Sequence, residues 1–304
     1  MQRGVPVGPC GRTDARRAPG RLTARSGPAK RRSPTVSRPP NDAEHAERSP
    51  AEDRASPSVV VERLGRVVRI RVDREAKLNV LDQELVDGLQ RALDELSACD
   101  EVGALVLTGA GERAFCAGAD IHHMVGADEE DLTRFLRSTR RLFRKLAGFP
   151  LPTIAAVNGH AHGGGAELAC ACDLRVGCEA TTFRFPGVVY GMAVSTWQLP
   201  QIVGVPRAKE LLFTAAQVSA AEAERIGLLN RLVASDELQA TALAVARQIA
   251  EHPAAAVRAV KTLVDRNVGA PMTQRFYREL YSNQDRGVAA GSADRFAPFL
   301  DKKR

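Results

Sequence analysis

The stretch Asn158-Gly159-His160-Ala161-His162-Gly163-Gly164-Gly165-Ala166-Glu167 follows an apolar pentad, Thr153-Ile154-Ala155-Ala156-Val157, and opens onto a further apolar run. A short buried strand, a glycine-rich loop and a helix are the expected reading. Three consecutive glycines let the backbone pass close to a ligand and leave unpaired N–H groups at the helix start. Upstream, residues 103–108 (GALVLT) predict another buried strand. Residues 109–121 after it form a second glycine-bearing loop, with Ala114-Phe115-Cys116-Ala117-Gly118-Ala119-Asp120-Ile121 at its end. Loops that follow parallel strands are where α/β proteins place ligands. Either loop alone is equally well explained by tight strand-to-helix packing.

Outward from these loops, strands and helices alternate. Val59-Val60-Val61, a turn at Leu64-Gly65 and Val67–Val72 predict a β-hairpin, with period-two alternation in its second strand. Asp82 is placed to cap a helix whose apolar positions Leu85, Leu89, Leu93 and Leu96 recur every three or four residues. An amphipathic helix fits 129–147 and is ended by Gly148 and Pro150; Asp173–Val176 reads as a further strand. From about residue 206 the pattern is mostly helical, with one strand near Leu229–Val233. Such alternation with short connections predicts an α/β fold with parallel pairing.

The composition excludes several classes. The chain has 304 residues, 44% hydrophobic and 26% charged, which is enough to bury a sizeable core. Its formal charge of +7 is uneven, because residues 1–40 hold ten Lys/Arg against the single acid Asp14. Removing that +9 leaves −2 for the rest, so a globally basic nucleic-acid-binding surface is not supported. Residues 1–57 are rich in Arg, Pro, Ser, Gly and Ala and are expected to be a disordered basic tail. They lack the apolar region of a secretory signal, and Asp42, Glu44, Glu47, Glu52 and Asp53 argue against a transit peptide running to residue 57. No run of 18 apolar residues is present, so no membrane span is expected. Six cysteines without regular spacing predict buried reduced thiols in a cytoplasmic protein rather than a disulfide framework. His122-His123 and His160-Ala161-His162 lack the further ligands a zinc site needs, so they read as polar loop or pocket-wall residues and no metal is expected.

Together, in this order and spacing, the two loops resemble those of the crotonase (enoyl-CoA hydratase/isomerase) superfamily. The resemblance covers about residues 58–304. It includes Lys77-Leu78-Asn79-Val80-Leu81, the paired FCAGADI and GGGAE motifs, Val203 to Ala208, Ala220 to Gly227, and Phe299-Leu300-Asp301-Lys302-Lys303 near the C-terminus. It implies a ββα spiral core of the ClpP/crotonase type over 58–252. A C-terminal helical region, 253–304, would serve trimerisation and CoA contact. It also implies acyl-CoA thioester chemistry through an enolate, with no cofactor beyond the coenzyme A of the substrate. In that family two backbone N–H groups hold the thioester oxygen; by motif position these fall on Ala119 and Gly164. Glu167 would move protons. The backbone near Ala117, Ala119 and Ile121 would meet the CoA adenine, Lys302 would approach its 3′-phosphate, and Lys77 would be a further CoA-binding residue. Homotrimers or homohexamers are the implied assembly.

The chain departs from the hydratase pattern in one place. Family hydratases carry a second glutamate after a proline, where this chain has Phe185-Pro186-Gly187-Val188-Val189-Tyr190-Gly191. The next loop, Met192-Ala193-Val194-Ser195-Thr196-Trp197, is about three residues short of the family's glycine-rich one. With Glu167 as the sole expected acid, proton shift or isomerisation is favoured over hydration. A non-catalytic acyl-CoA-binding protein, a decarboxylase and a thioester hydrolase are the competing expectations. Tyr190 and Trp197 are expected in the core or lining an acyl pocket. A dehydrogenase reading of the glycines fails, because none of Tyr190, Tyr277 and Tyr281 is followed by lysine four residues later.

Overall fold

The structure is a computed structural model that describes residues 58–97, 99, 101–287 and 296–297. The basic tail, 1–57, and Lys302 lie outside the described residues. Val59–Leu64 (β1) and Val67–Val72 (β2) form the expected antiparallel hairpin, with Val59 opposite Val72. Asp82 accepts a hydrogen bond from Leu85 N at 3.0 Å and so starts α1, Gln83–Ser97. The four leucines of its expected stripe are all buried.

From there the chain repeats a strand, a short strand and a helix. The first repeat is Ala104–Gly109 (β3), Ala114–Cys116 (β4), then Ile121–Gly126 (α2) and Glu129–Ala147 (α3). The second is Thr153–Val157 (β5), His160–His162 (β6) and Gly164–Cys170 (α4). Next come Leu174–Cys178 (β7), Thr182–Arg184 (β8), Leu199–Val203 (α5) and Val205–Thr214 (α6). The remainder is Val218–Ser219 (β9), Ala220–Arg225 (α7), Arg231–Val233 (β10), Leu238–Ala250 (α8), Ala254–Asn267 (α9) and Met272–Asp285 (α10).

The long strands, with the three-residue β10 at the edge, build one sheet in the order β1-β2-β3-β5-β7-β10, parallel from β2 onward. The short ones build a second sheet, β4-β6-β8-β9. Residues 109–121 and 158–165 are therefore not pure loops, since each contains a three-residue strand of that second sheet. Such strands are too short to show a period of two and form only when their neighbours arrive. Alternation along the large sheet divides its side chains between two apolar clusters. Val68, Ile70, Leu105, Leu107, Ala155 and Val157 face α1, α3 and α4. Val67, Ala104, Val106, Ile154, Ala156 and Val176 face α8. Burial on both faces explains the continuous apolar runs of β3 and β5.

The last two helices differ from the other long ones. Neither α9 nor α10 buries a residue, a feature they share among the described α-helices only with the short α2. One tie to the body is Lys261, whose ammonium donates to Asp173 Oδ2 at 2.7 Å and to Leu151 O at 3.2 Å.

Candidate active site

Two buried amides shape the first loop. Asn79, in a left-handed conformation at φ 57°, donates from Nδ2 to Ala110 O (3.0 Å) and Ala114 O (2.7 Å), and its Oδ1 accepts Arg74 N (3.0 Å). Asn158, at the end of β5, donates from Nδ2 to Gly111 O (2.7 Å) and Ala114 O (3.3 Å) and accepts Gly109 N (3.1 Å). Asparagine fits Asn79's site because its short amide tolerates that φ and bonds locally.

The end of the loop hangs on residues 78–81. Ala117 N donates to Leu78 O (3.0 Å), Leu81 N to Gly118 O (2.8 Å) and Asp120 N to Leu81 O (2.8 Å), a parallel bridge with Leu81 opposite Ala119. The residues flanking Ala119 take both bonds, so the Ala119 N–H points away from Leu81. Across from it α4 begins. A Cβ built on Gly164 would lie 3.7 Å from Ala119 N, so the start of α4 and the end of the first loop approach each other closely. Neither the Ala119 nor the Gly164 N–H finds an acceptor among the described residues. This close approach depends on Gly165, whose added Cβ would stand 1.8 Å from Cys116 O.

Glu167 lies in the first turn of α4, its N–H bonded to Gly163 O at 3.0 Å. Its Oε1 accepts a 2.7 Å hydrogen bond from the Ser195 hydroxyl. Burial pushes the Glu167 carboxyl above the ordinary range, although the Ser195 hydroxyl and N–H and the Arg140 charge pull the other way. A carboxylate raised in this way is a stronger base toward a nearby carbon acid. Gly187 is buried, and a Cβ there would meet Val194 Cγ2 at 2.4 Å and Met192 O at 3.0 Å. Val194 thus fills the space into which a side chain at 187 would grow.

The other expected contact residues spread outward from this centre. Ala117 is half-buried, and Ile121, 58% exposed, begins α2. Lys77 is exposed at the end of a 3-10 turn and acts on Asp120, the N-cap of α2. Burial raises the Asp120 carboxyl, but the His123 and His122 amides and the Lys77 charge outweigh it and hold the group low.

Some expectations are corrected. Tyr190 and Trp197 are not in the core, being 59% and 46% exposed beyond the Pro186 turn, which leaves the lining of an acyl pocket as their expected place. His160 and His162 are strand rather than loop residues, and both bond Thr182 Oγ1, at 2.8 and 2.9 Å. One hydroxyl proton serves only one imidazole as acceptor, so the other must donate. Burial, then His160 and Arg184, push His162 down to about 4, so it is neutral at pH 7. No group of three metal-ligating side chains occurs among the described residues. Burial pushes the Cys116, Cys170 and Cys172 thiols up to about 12, 11 and 12, which makes them unreactive.

The sequence reading assigned no role to Ser195, Asn79 or Asn158. The two asparagines carried a signal, since Asn79 lies within the Lys77–Leu81 segment and Asn158 at the start of its loop, where a polar residue ends an apolar strand. Ser195 carried none.

This geometry has counterparts among known proteins. The family described as "Enoyl-CoA hydratase/isomerase" matches residues 62–289. A short-chain-enoyl-CoA hydratase from Clostridium acetobutylicum is 33% identical over 256 residues, covering 81% of this chain and 96% of that protein. A "Probable enoyl-CoA hydratase" from Rhizobium meliloti is 39% identical over 256 residues, covering 80% and 97%. The crystal structure of an enoyl-CoA hydratase from Bacillus anthracis superposes with a TM-score of 0.77 at 31% identity, covering 81% of this chain and 96% of that one. The strand–strand–helix repeat is therefore the crotonase fold, and the chain belongs to the enoyl-CoA hydratase/isomerase family.

Proposed function

We propose that this enzyme processes acyl-CoA thioesters through an enolate, and that proton shift outpaces water addition. The thioester carbonyl oxygen is taken by Ala119 N–H and Gly164 N–H. Glu167 removes the α-proton, the electron pair moves onto that oxygen, and the two donors meet the growing charge. One such donor is worth about 3–4 kcal/mol in a site shielded from water. Glu167 then returns the proton at the same carbon or at the γ-carbon, which exchanges hydrogen or shifts a double bond. The reaction needs no metal or redox group, and coenzyme A enters as part of the substrate. The backbone of Ala117 and Ile121 suits the adenine, with Lys302 for the 3′-phosphate and Lys77 as a further CoA-binding residue.

One observation carries the preference for proton shift. Gly187 stands at the position of the family hydratases' second glutamate with Val194 packed against it, and the group at hydrogen-bond distance from Glu167 is the Ser195 hydroxyl. A missing general acid/base typically lowers the step it serves by 10²–10⁴-fold. The test compares two wild-type rates, deuterium wash-in at the α-carbon of a saturated acyl-CoA and hydration of crotonyl-CoA. Wash-in or 3-enoyl-CoA isomerisation should be the faster, and Glu167→Gln should abolish it while acyl-CoA still binds. Hydration outrunning both would overturn the preference.

The same reading includes a homotrimer or homohexamer. Val260, Val264, Met272, Phe276 and Leu280 are exposed at four-residue steps on α9 and α10. A stripe of this kind is what an interface between copies would cover. Light scattering at a monomer mass would exclude it.

A further inference from the structure

We propose that Ser195 is the positioning residue of the Glu167 carboxylate: its hydroxyl and N–H hold one side of the group and leave the other oxygen to face the substrate. This rests on Glu167 being the proton carrier proposed above. Three observations support it. The Ser195 hydroxyl donates to Glu167 Oε1 at 2.7 Å, and the hydroxyl and the Ser195 N–H both lower the carboxyl against its burial. Ser195 is buried and sits at φ 60°, a left-handed conformation that serine adopts only when its surroundings impose it. Its neighbour Val194 packs against Gly187, which fixes the backbone of the shortened loop from the other side.

The interaction has a definite sign. The other groups that act electrostatically with Glu167 are the Arg140 guanidinium of α3 and the Cys170 thiol of α4. Cys170 is pushed up to about 11 and stays neutral, so it supplies no charge at pH 7. Without the Ser195 hydroxyl, Arg140 and the Ser195 N–H alone oppose the burial that raises Glu167. The carboxyl then titrates higher, and it is free to rotate between useful and useless orientations.

The test uses the full chain with 13C-labelled glutamate carboxyls, assigned through Glu167→Gln. NMR titrations of wild type, Ser195→Ala and Ser195→Gly are compared with pH profiles of α-deuterium wash-in. Ser195→Gly keeps the N–H and relieves the left-handed φ, so a merely structural serine predicts that it matches wild type. Positioning predicts that both variants titrate higher at Glu167, with the acid limb of the rate profile moved up. It also predicts kcat about 10- to 100-fold lower, with KM changed less than about twofold. An unchanged Glu167 titration in the variants, or a Ser195→Gly enzyme with wild-type kcat and profile, overturns the proposal. Absence of wash-in in the wild type, with the titration still moving in both variants, removes the proton-carrier reading and leaves the Ser195–Glu167 pairing standing.

Discussion

Gly165→Ala adds one methyl group and should silence the site. The new Cβ would lie 1.8 Å from Cys116 O, 2.7 Å from its carbonyl carbon and 2.9 Å from its Cβ. Non-bonded atoms of this kind settle above about 3 Å, so α4 and β4 must part by more than about 1 Å. The nearest obstacle is backbone, so no side-chain rotation relieves it. Gly164 N rides on α4, and Ala119 N lies just beyond β4. The two donors therefore separate by a similar amount. A 1 Å misplacement at a reacting centre lowers rate by about 10²-fold. Overpacking of this kind typically removes about 1–3 kcal/mol of stability, a fall of several degrees in Tm. The assay is α-deuterium wash-in per folded molecule, with circular dichroism and thermal melting on the same samples. Gly126→Ala, where an added Cβ meets nothing within 4 Å, is the control and should match wild type. A folded Gly165→Ala enzyme turning over within a few-fold of wild type would refute the placement of the two donors.

The second acid cannot simply be restored: Gly187→Glu drives a Cβ against Val194 Cγ2 at 2.4 Å. It should lower Tm without raising hydration, and adding Val194→Ala should recover part of that loss; a gain in hydration at unchanged Tm would contradict this. Asn158→Ala strands Gly109 N and Gly111 O in a part-buried loop. It should remove about 2–3 kcal/mol in urea unfolding, and a loss under about 0.5 kcal/mol would show that Asn79 alone holds the loop. His162 is pushed down to about 4 in the folded chain from an ordinary 6.5. The unfolded state therefore binds the proton first, and stability complete above pH 6.5 is lost as pH falls toward 4. His162→Gln should flatten that loss in urea midpoints measured across the window; parallel wild-type and variant curves would disprove it.

Elements with strong local signals were legible. The limits of α3 match the 129–147 expectation because Asp128 caps it through Asp131 N at 2.8 Å, and Gly148 and Pro150 stop it. Pentad β5 was readable because it is buried on both faces and followed by Asn158. Strands β4, β6 and β8 were not, since three residues carry no usable period and their pairing is wholly tertiary. The glycines and Glu167 were visible as a motif, and so was the departure at Gly187. Ser195 was invisible, because its φ and its partner are set by the shortened loop and by a helix 28 residues earlier, not by its neighbours. The exposure of Tyr190 and Trp197 was not legible, because aromatic character says nothing about which side of a turn faces water.

The bridge between Leu81 and Ala119 bears on the order of folding. Ala119 gains its orientation only when residues 78–81 and 117–120 have met, and Gly164 and Glu167 join only after β5 and β6 have been added. Ser195 completes the group from a loop still further along the chain. Contacts of such sequence separation close late, because loop-closure entropy must be overcome first. Helical circular dichroism should therefore recover before activity on refolding from urea. Turnover becomes a reporter of the last tertiary step, and a collapsed intermediate with most of its helices would be enzymatically silent.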